Sequence, residues 1–525
     1  MATTLILIAA TAAAWLLATI WRRVIYVPKV NITYFAFEGD NSATRYIAEA
    51  GSLLARGYEK VRLVLTILAH FLLTRQNQNQ YTKNGQPFAI RNASDPKRPV
   101  AILPLRYLEE VKNAPQSKLS FPLFMEKVLE VSLRIWAARA SNHDVLLGFD
   151  KLIQPMQEAV AKAYDKEMPP CSDWTLINPY HLIAQSFARI ATRVLVGPEL
   201  CEGRWLTLSR DYINSVTRAP GVVRHKYPPW LRWVAKYIEP SVHAVLKYRR
   251  EGAELLRPVL EARIAELDNT VPQTVGGKER HERQHEDAIQ WLLEEFRARG
   301  KKLTPDTLAQ SIYVIMTAAV DSTSSTALWM LFDLLDHPDA MAEIREEILR
   351  VSGGSADFVW TRQALGELRV LDSFMRESLR VHSFTQITVE RMAAEPFTFK
   401  DGLHIPKFSQ LAFPRYPYGM DSDVNPDPKT FDYKRHLKKR TGEDATKFHF
   451  ASVSDDTLAW GTGMHACPGR FLAQEALKLI FLRLVSRYDI KHDGEKRPGP
   501  DRMMGLFMGP DASANILVKE VSSSA

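Results

Sequence analysis

Cysteine is scarce in this chain of 525 residues, which carries only Cys171, Cys201 and Cys467. None of the three forms a C-x-x-C pair, so a disulfide framework and a ribbon-type zinc site are excluded, and the body suits a reducing compartment. Charge of one sign is lacking as well: 68 basic residues against 60 acidic ones leave a net charge of +8. With no interleaving of aromatic and basic residues, nothing points to nucleic acid. A basic patch for an acidic protein partner is the better use of the excess. Internal repeats are absent too. What remains is a chain 46% hydrophobic and 24% charged, hence globular, and too long for one ordinary small domain.

The N-terminus is apolar from Leu5 to Trp21, about 26 Å as a helix against a hydrocarbon core of about 30 Å. A cleaved signal peptide would want positive charge before the run, whereas Arg22 and Arg23 come after it. The expectation is a membrane anchor over residues 1–23 with a lumenal N-terminus and a cytoplasmic body. Pro28 stops helical continuation and opens a linker. Beyond residue 100 the periodicity predicts helices over Leu152–Asp165, Pro240–Leu267, Asp306–Leu335 and Asp339–Val351. Strand candidates are confined to Pro99–Leu103 and Phe397–Phe413, and Asn269–Glu286 reads as an exposed loop.

The chemistry concentrates in WGTGMHACPGRF, residues 460–471. A thiolate on iron needs backbone N–H donors near the sulfur, and glycines let the chain approach without Cβ clashes. The next run, FLAQEALKLIFLRLVSR, has helical periodicity, so Cys467 and Pro468 fall at the mouth of a helix, where the dipole favours a thiolate. Two other readings share these residues. Gly461, Gly463 and Ala466 also spell G-x-G-x-x-A with Asp489 downstream, a dinucleotide fingerprint, yet the preceding FASVSDDTLAW is no apolar strand. A structural cysteine at a helix start is the other.

The run resembles the haem-binding loop of cytochromes P450, FxxGxRxCxG. Gly463, Cys467 and Gly469 match at full spacing, with Trp460 in place of phenylalanine and His465 in place of arginine. His465 with CPGRF is similar to the fungal secondary-metabolism branch. The resemblance runs from about Gly85 to the C-terminus and implies a mainly α fold with a small β portion, preceded by the transmembrane helix. Residues 24–56 are then linker and the start of the catalytic domain, with residues 57–525 its body. It further implies haem b held by Cys467, with Trp460, Gly461, Gly463, His465 and Gly469 around it.

Three constellations agree with that resemblance. Glu377 and Arg380 in FMRESLR share a helix face, and as the family's ExxR pair they would be buried with Arg435 of FDYKRH. In AAVDSTSST, Ala318 and Ala319 leave room beside a helix, and hydroxyls bonding back would loosen it. The resemblance makes Asp321 the acid and Ser322 the alcohol of a proton relay, with Thr323 beside it, on a locally opened helix. Arg391 in TVERM stands where relatives set an arginine against a haem propionate. By family position, residues 382–387 and 506–508 would line an apolar substrate pocket. The basic run KRHLKKR, 434–440, is a candidate surface for an acidic reductase. Phe408 in IPKF stands where relatives often have a turn glycine.

One segment interrupts the family pattern. Removing Val61–Gln80 joins GYEK to YTKNGQPFAI, the uninterrupted start of fungal relatives. A valine codon begins with GT and a glutamine codon can end in AG, so a retained in-frame intron is one explanation. A genuine insertion that dips into the membrane is the other. The expectation from all of this is a membrane-anchored haem-thiolate monooxygenase of the endoplasmic reticulum. It would take electrons from NADPH through a separate reductase and oxidise a small lipophilic substrate of terpenoid or alkaloid type. A haem-thiolate isomerase or peroxygenase, and a non-catalytic haem-binding protein, are the alternatives.

Overall fold

The computed structural model describes residues 30–72, 85–92, 95, 97–129, 149–228, 231–269, 273–275, 278–280, 285–355, 358–454, 456–495, 497–499 and 501–521. The apolar run Leu5–Trp21 and residues 73–80 lie outside the described residues. Among the described residues no helix is long and apolar enough to cross a membrane. The chain divides into two compact units.

The first unit draws on residues 1–132, 220–238 and 387–414. Its six-stranded sheet is built from β1 (Thr33–Tyr34), β2 (Phe88–Ile90), β3 (Val100–Ile102), β4 (Leu119–Ser120), β5 (Ile387–Ala393) and β6 (Gln410–Pro414), in the spatial order β1-β2-β3-β6-β5-β4. The sheet is mixed: β3 pairs parallel with β6, and β6 antiparallel with β5. Strand β5 is not among the strands expected from sequence, because TVERM interrupts its apolar residues with charge. Helix α1 (Ala43–Leu72) runs on without a break through residues 61–72, the first part of the interrupting segment. It approaches β2 closely at Gly57, where a Cβ would come within 2.4 Å of the Phe88 ring. Between β5 and β6 the Pro406 carbonyl accepts from the Ser409 N–H at 3.1 Å, closing a turn whose third residue is Phe408 at φ +65°. A type II turn requires positive φ at that position, which is why glycine suits it.

The second unit draws on residues 133–219, 239–386 and 415–525. It is helical: α2 (Phe149–Glu167), α3 (Pro179–Leu195), α4 (Pro240–Asn269), α5 (Pro305–Asp336), α6 (Pro338–Ser352), α7 (Arg369–Val381) and α8 (Arg470–Arg487). Helix α5 is apolar on most faces, and a helix so composed becomes an axle buried by others. It packs on α3, α4 and α7. Thr304 caps its start, accepting from the Thr307 N–H, with Pro305 at the first helical position. Helix α7 has no N-cap side chain of its own. Instead the Glu347 carboxylate of α6 accepts from the N–H groups of Arg369, Val370 and Leu371 at 2.7–3.1 Å. The strands Tyr488–His492, Ile516–Glu520 and Thr175–Ile177 form a small antiparallel sheet. The segment expected as a loop over Asn269–Glu286 contains a pair of antiparallel strands, Gln273–Val275 and Lys278–Arg280.

Candidate functional site

Cys467 sits just before α8, inside a loop whose shape its glycines permit. Gly461 and Gly463 take φ values of +69° and +63°, conformations that a Cβ opposes. The Cys467 N–H donates to the Trp460 carbonyl at 2.7 Å, and the Ala466 N–H to the Gly463 carbonyl at 3.1 Å. Trp460 is fixed in turn, its Nε1 donating to the Phe450 carbonyl at 2.6 Å and its ring meeting Phe450 edge-on. Burial pushes the Cys467 thiol up. The backbone N–H groups of Gly469 and Arg470, with the Arg470 charge, oppose that shift. These donors are the set that a metal-bound thiolate needs once its proton has gone.

A run of buried carboxylates ties this loop to α7. Glu377 receives Arg380 through two hydrogen bonds of 2.7 and 2.9 Å, Arg435 at 3.0 Å, His436 at 3.2 Å and the Asp432 N–H at 3.1 Å. Both arginines spread their remaining donors over the carbonyls of Gly419, Pro426, Asp427, Pro428 and Thr430. One turn earlier, Arg376 grips Asp456 at 2.8 Å and the carbonyls of His449 and Ser452. Asp372, one turn earlier again, holds Arg440 at 2.5 Å, Lys478 at 3.2 Å and the Phe450 N–H at 3.0 Å. Burial alone would raise the pKa of all three acids. Lys478 and Arg440 at Asp372, Arg380 and His436 at Glu377, and His436 and Arg376 at Asp456 instead hold them well below the usual carboxylate range.

On α5, Asp321, Ser322 and Thr323 are half-buried, and Ala318 is exposed in the middle of an otherwise buried helix. Burial raises the Asp321 pKa, so its carboxyl keeps a proton to higher pH than an exposed aspartate. The Ser322 hydroxyl donates to the Ala318 carbonyl at 2.9 Å, and those of Thr317 and Thr326 bond back in the same way. These bonds leave α5 helical throughout, so the local opening expected from the sequence is not present. Each hydroxyl donates a further hydrogen bond to a carbonyl of the preceding turn, within a stretch that stays helical.

A family model described as cytochrome P450 matches residues 146–516. The chain belongs to the cytochrome P450 family. The cytochrome P450 monooxygenase cheE of Chaetomium globosum is 36% identical over 506 residues, covering 94% of this chain and 92% of its own length. Cytochrome P450 monooxygenase ccsG of Aspergillus clavatus is 33% identical, with 97% of this chain and 96% of its own covered. Pyrichalasin C-7 hydroxylase of Pyricularia grisea is 31% identical over 92% of this chain and 90% of its own. Among solved structures, the retinoic acid bound cyanobacterial CYP120A1 superposes with a TM-score of 0.61 at 16% identity, covering 94% of this chain and all of that one, a likeness of fold. This P450 is therefore a fungal haem-thiolate monooxygenase, and haem with a cysteine ligand is the family's cofactor.

The residues of this P450 fit that cofactor. The loop offers a thiol beneath backbone donors, and Ala318 leaves α5 open on one side. In the first unit, Arg391 is buried over the Phe121 ring, and among the described residues its Nη2 has no hydrogen-bond partner while its Nη1 meets the Glu390 carbonyl, so its guanidinium has room for an anion. Burial lowers the Arg391 pKa to about 10 and raises that of Glu390 to about 8. Of the residues singled out from sequence, the structure gathers Glu377, Arg380 and Arg435 into one cluster, and Trp460, Gly461, Gly463, His465, Cys467 and Gly469 into one loop. The basic run 434–440 is different from expectation. Arg435 and His436 are buried, and Lys434, Lys438, Lys439 and Arg440 pair with Glu343, Asp432, Asp456 and Asp372, so part of the run bolts the chain together while Lys434 and Lys438 stay at the surface. Sequence reasoning missed Asp372, Arg376 and Asp456. The first two recur every four residues with Arg380 along LDSFMRESLR, an unusual charged face for a helix with so many neighbours.

Proposed function

We propose that Cys467 ligates the haem iron and that this enzyme hydroxylates, or oxidises in successive steps, an unactivated carbon of a lipophilic secondary-metabolite intermediate of terpenoid or alkaloid type. The observation that carries the reading is the placement of Cys467 at the mouth of α8, in a loop closed by its N–H on the Trp460 carbonyl and shaped by the positive φ of Gly461 and Gly463. When bound, a thiolate-ligated haem supplies the activation of dioxygen. The protein's part is to hold and move protons. Burial of Asp321 favours the protonated form of its carboxyl, and the neighbouring Ser322 hydroxyl, now given to the Ala318 carbonyl, can turn to pass a proton on. Thr323 is the adjacent reserve. Ala318 and Ala319 would leave room beside α5 for the group, His465 and Trp460 would hold it together with Cys467 in their loop, and Arg391 would be the candidate partner for a propionate. Hydroxylation is also what the Pyricularia grisea relative is named for.

Electrons come from NADPH through a separate reductase. Residues 5–21 anchor the chain in the endoplasmic reticulum, with the catalytic body on the cytoplasmic side, as the charges at Arg22 and Arg23 favour. The test is the carbon monoxide difference spectrum of reduced membranes carrying the full chain, and of a form lacking residues 61–80. A thiolate-type Soret band that Cys467→Ala abolishes is the expected result. A band present only in the shortened form assigns Val61–Gln80 to a retained intron, and absence of haem from both proteins, each shown to be present, removes the reading.

A further inference from the structure

A second titratable cluster lies where α5, α7 and the C-terminal segment meet. Asp333 of α5, almost fully buried, accepts from Ser378 of α7 at 2.5 Å, from Arg497 at 2.7 Å and from His382 Nε2 at 2.9 Å. The His382 ring stacks on Trp329, nearly parallel at 8°, and its Nδ1 faces Asp501 at 3.8 Å. Trp329 donates to the other oxygen of Asp501 at 2.8 Å. Arg497 also meets Asp336, which holds His492 at 2.9 Å, and its Nη2 stands 3.4 Å from His382 Nε2. His382 therefore sits between two carboxylates, one at each ring nitrogen, and shares Asp333 with an arginine.

Both members of the His382–Asp501 pair stand at the base of a segment. His382 directly precedes residues 383–387, and Asp501 directly precedes the hairpin Arg502–Met504/Phe507–Gly509. The two segments clip together: the Gln386 N–H donates to the Leu506 carbonyl at 2.8 Å, the Met508 N–H to the Phe384 carbonyl at 3.0 Å, and Phe384 meets Phe507 edge-on at 5.9 Å. Thr385 and Phe507 pair between these bonds. Phe507 and Met504 are left exposed, 44% and 69%, so the clip presents apolar surface.

We propose that His382, as the cation between Asp333 and Asp501, is a positioning residue that keeps segments 383–387 and 502–509 in register, so that their apolar face is set by the charge on one imidazole. The inference deepens the function proposed above and rests on the expectation from sequence that residues 382–387 and 506–508 line the substrate pocket. Burial and the Arg497 charge work against the imidazolium, and the hydrogen bond to Asp333 with the Asp501 carboxylate 3.8 Å away outweighs them, so the His382 pKa is raised. The cation is thus retained at low pH and lost as pH rises through that raised value, which leaves Asp501 facing a neutral ring and the base of the clip slack. Tyr416 also feels the Asp501 charge, and His492 and Arg497 are the other titratable groups packed on the cluster.

Hydrogen exchange on the haem-loaded full chain tests this at the Gln386 and Met508 amides. Between pH 6 and pH 9, after correction for intrinsic exchange, protection at both should fall about tenfold in the wild type, on the order of one partly buried ion pair. In His382→Gln it should be low and independent of pH. Should that variant fail to accumulate, Asp501→Asn, which leaves the Asp333–His382 pair intact, should likewise lose the pH dependence. Constant protection in the wild type, or the same pH dependence in either variant, overturns the proposal. A carbon monoxide Soret band measured on the same samples reports the monooxygenase reading separately, since it does not depend on the clip.

Discussion

Phe408 holds a left-handed backbone conformation that its own side chain opposes. Its ring returns little, being 38% exposed with Arg98 and Lys407 as distant cation neighbours at 5.9 and 5.1 Å. Phe408→Gly should therefore raise stability by about 1 kcal/mol in chemical denaturation. Glu377 is the opposite case, where a carboxylate is satisfied so completely that halving its network leaves two arginines and a histidine buried without it. Glu377→Gln should lose about 3–5 kcal/mol and much of its haem, read by denaturation and by the Soret band. The sign of the pH effect comes from the depressed pKa. The stabilisation is complete above the unfolded carboxylate pKa of about 4.3, shrinks as pH falls below it, and vanishes once pH passes the folded value. The melting temperature should thus drop below about pH 4 with a slope that Glu377→Gln reduces. At Asp321, the asparagine variant should keep the Soret band while product formation slows by about a hundredfold, as removal of a positioned acid does.

Elements were legible wherever an apolar period was long. The extents of α2, α4, α5, α6 and α8 lie within a few residues of those read from sequence, because each buries one continuous stripe or is apolar nearly all round. The sheet was only half legible, since β5 carries Glu390 and Arg391 and its pairing partners lie elsewhere in the chain. The Cys467 loop and the Glu377–Arg380 pair were legible as short motifs. The partners of Asp372 and Arg376 were not, because they come from 68 to 106 residues downstream, a distance over which periodicity says nothing. The cap of α7 was hidden for the same reason. Glu347→Ala should expose three N–H groups at the start of that helix and lower stability by about 1–3 kcal/mol, while a variant at the exposed Glu346 changes it little.

At the scale of the whole molecule, the N-terminal run and the catalytic body make separable claims. Deleting residues 1–23 should shift the protein from the membrane pellet toward the supernatant without altering the Soret band. Retention in the pellet would point to a second attachment, for which residues 61–80 are the first candidate.

The carboxylate network also sets a timetable. Asp372 and Arg376 leave the ribosome about 80 residues ahead of Asp456, and ahead of the loop that holds Cys467. At roughly 5–20 residues per second, helix α7 waits on the order of 4–16 s with its charged face unmatched. During that interval the cysteine has no fixed place, so cofactor capture is confined to the end of synthesis, and a nascent chain stalled before residue 456 should be a substrate for chaperones with no claim on haem.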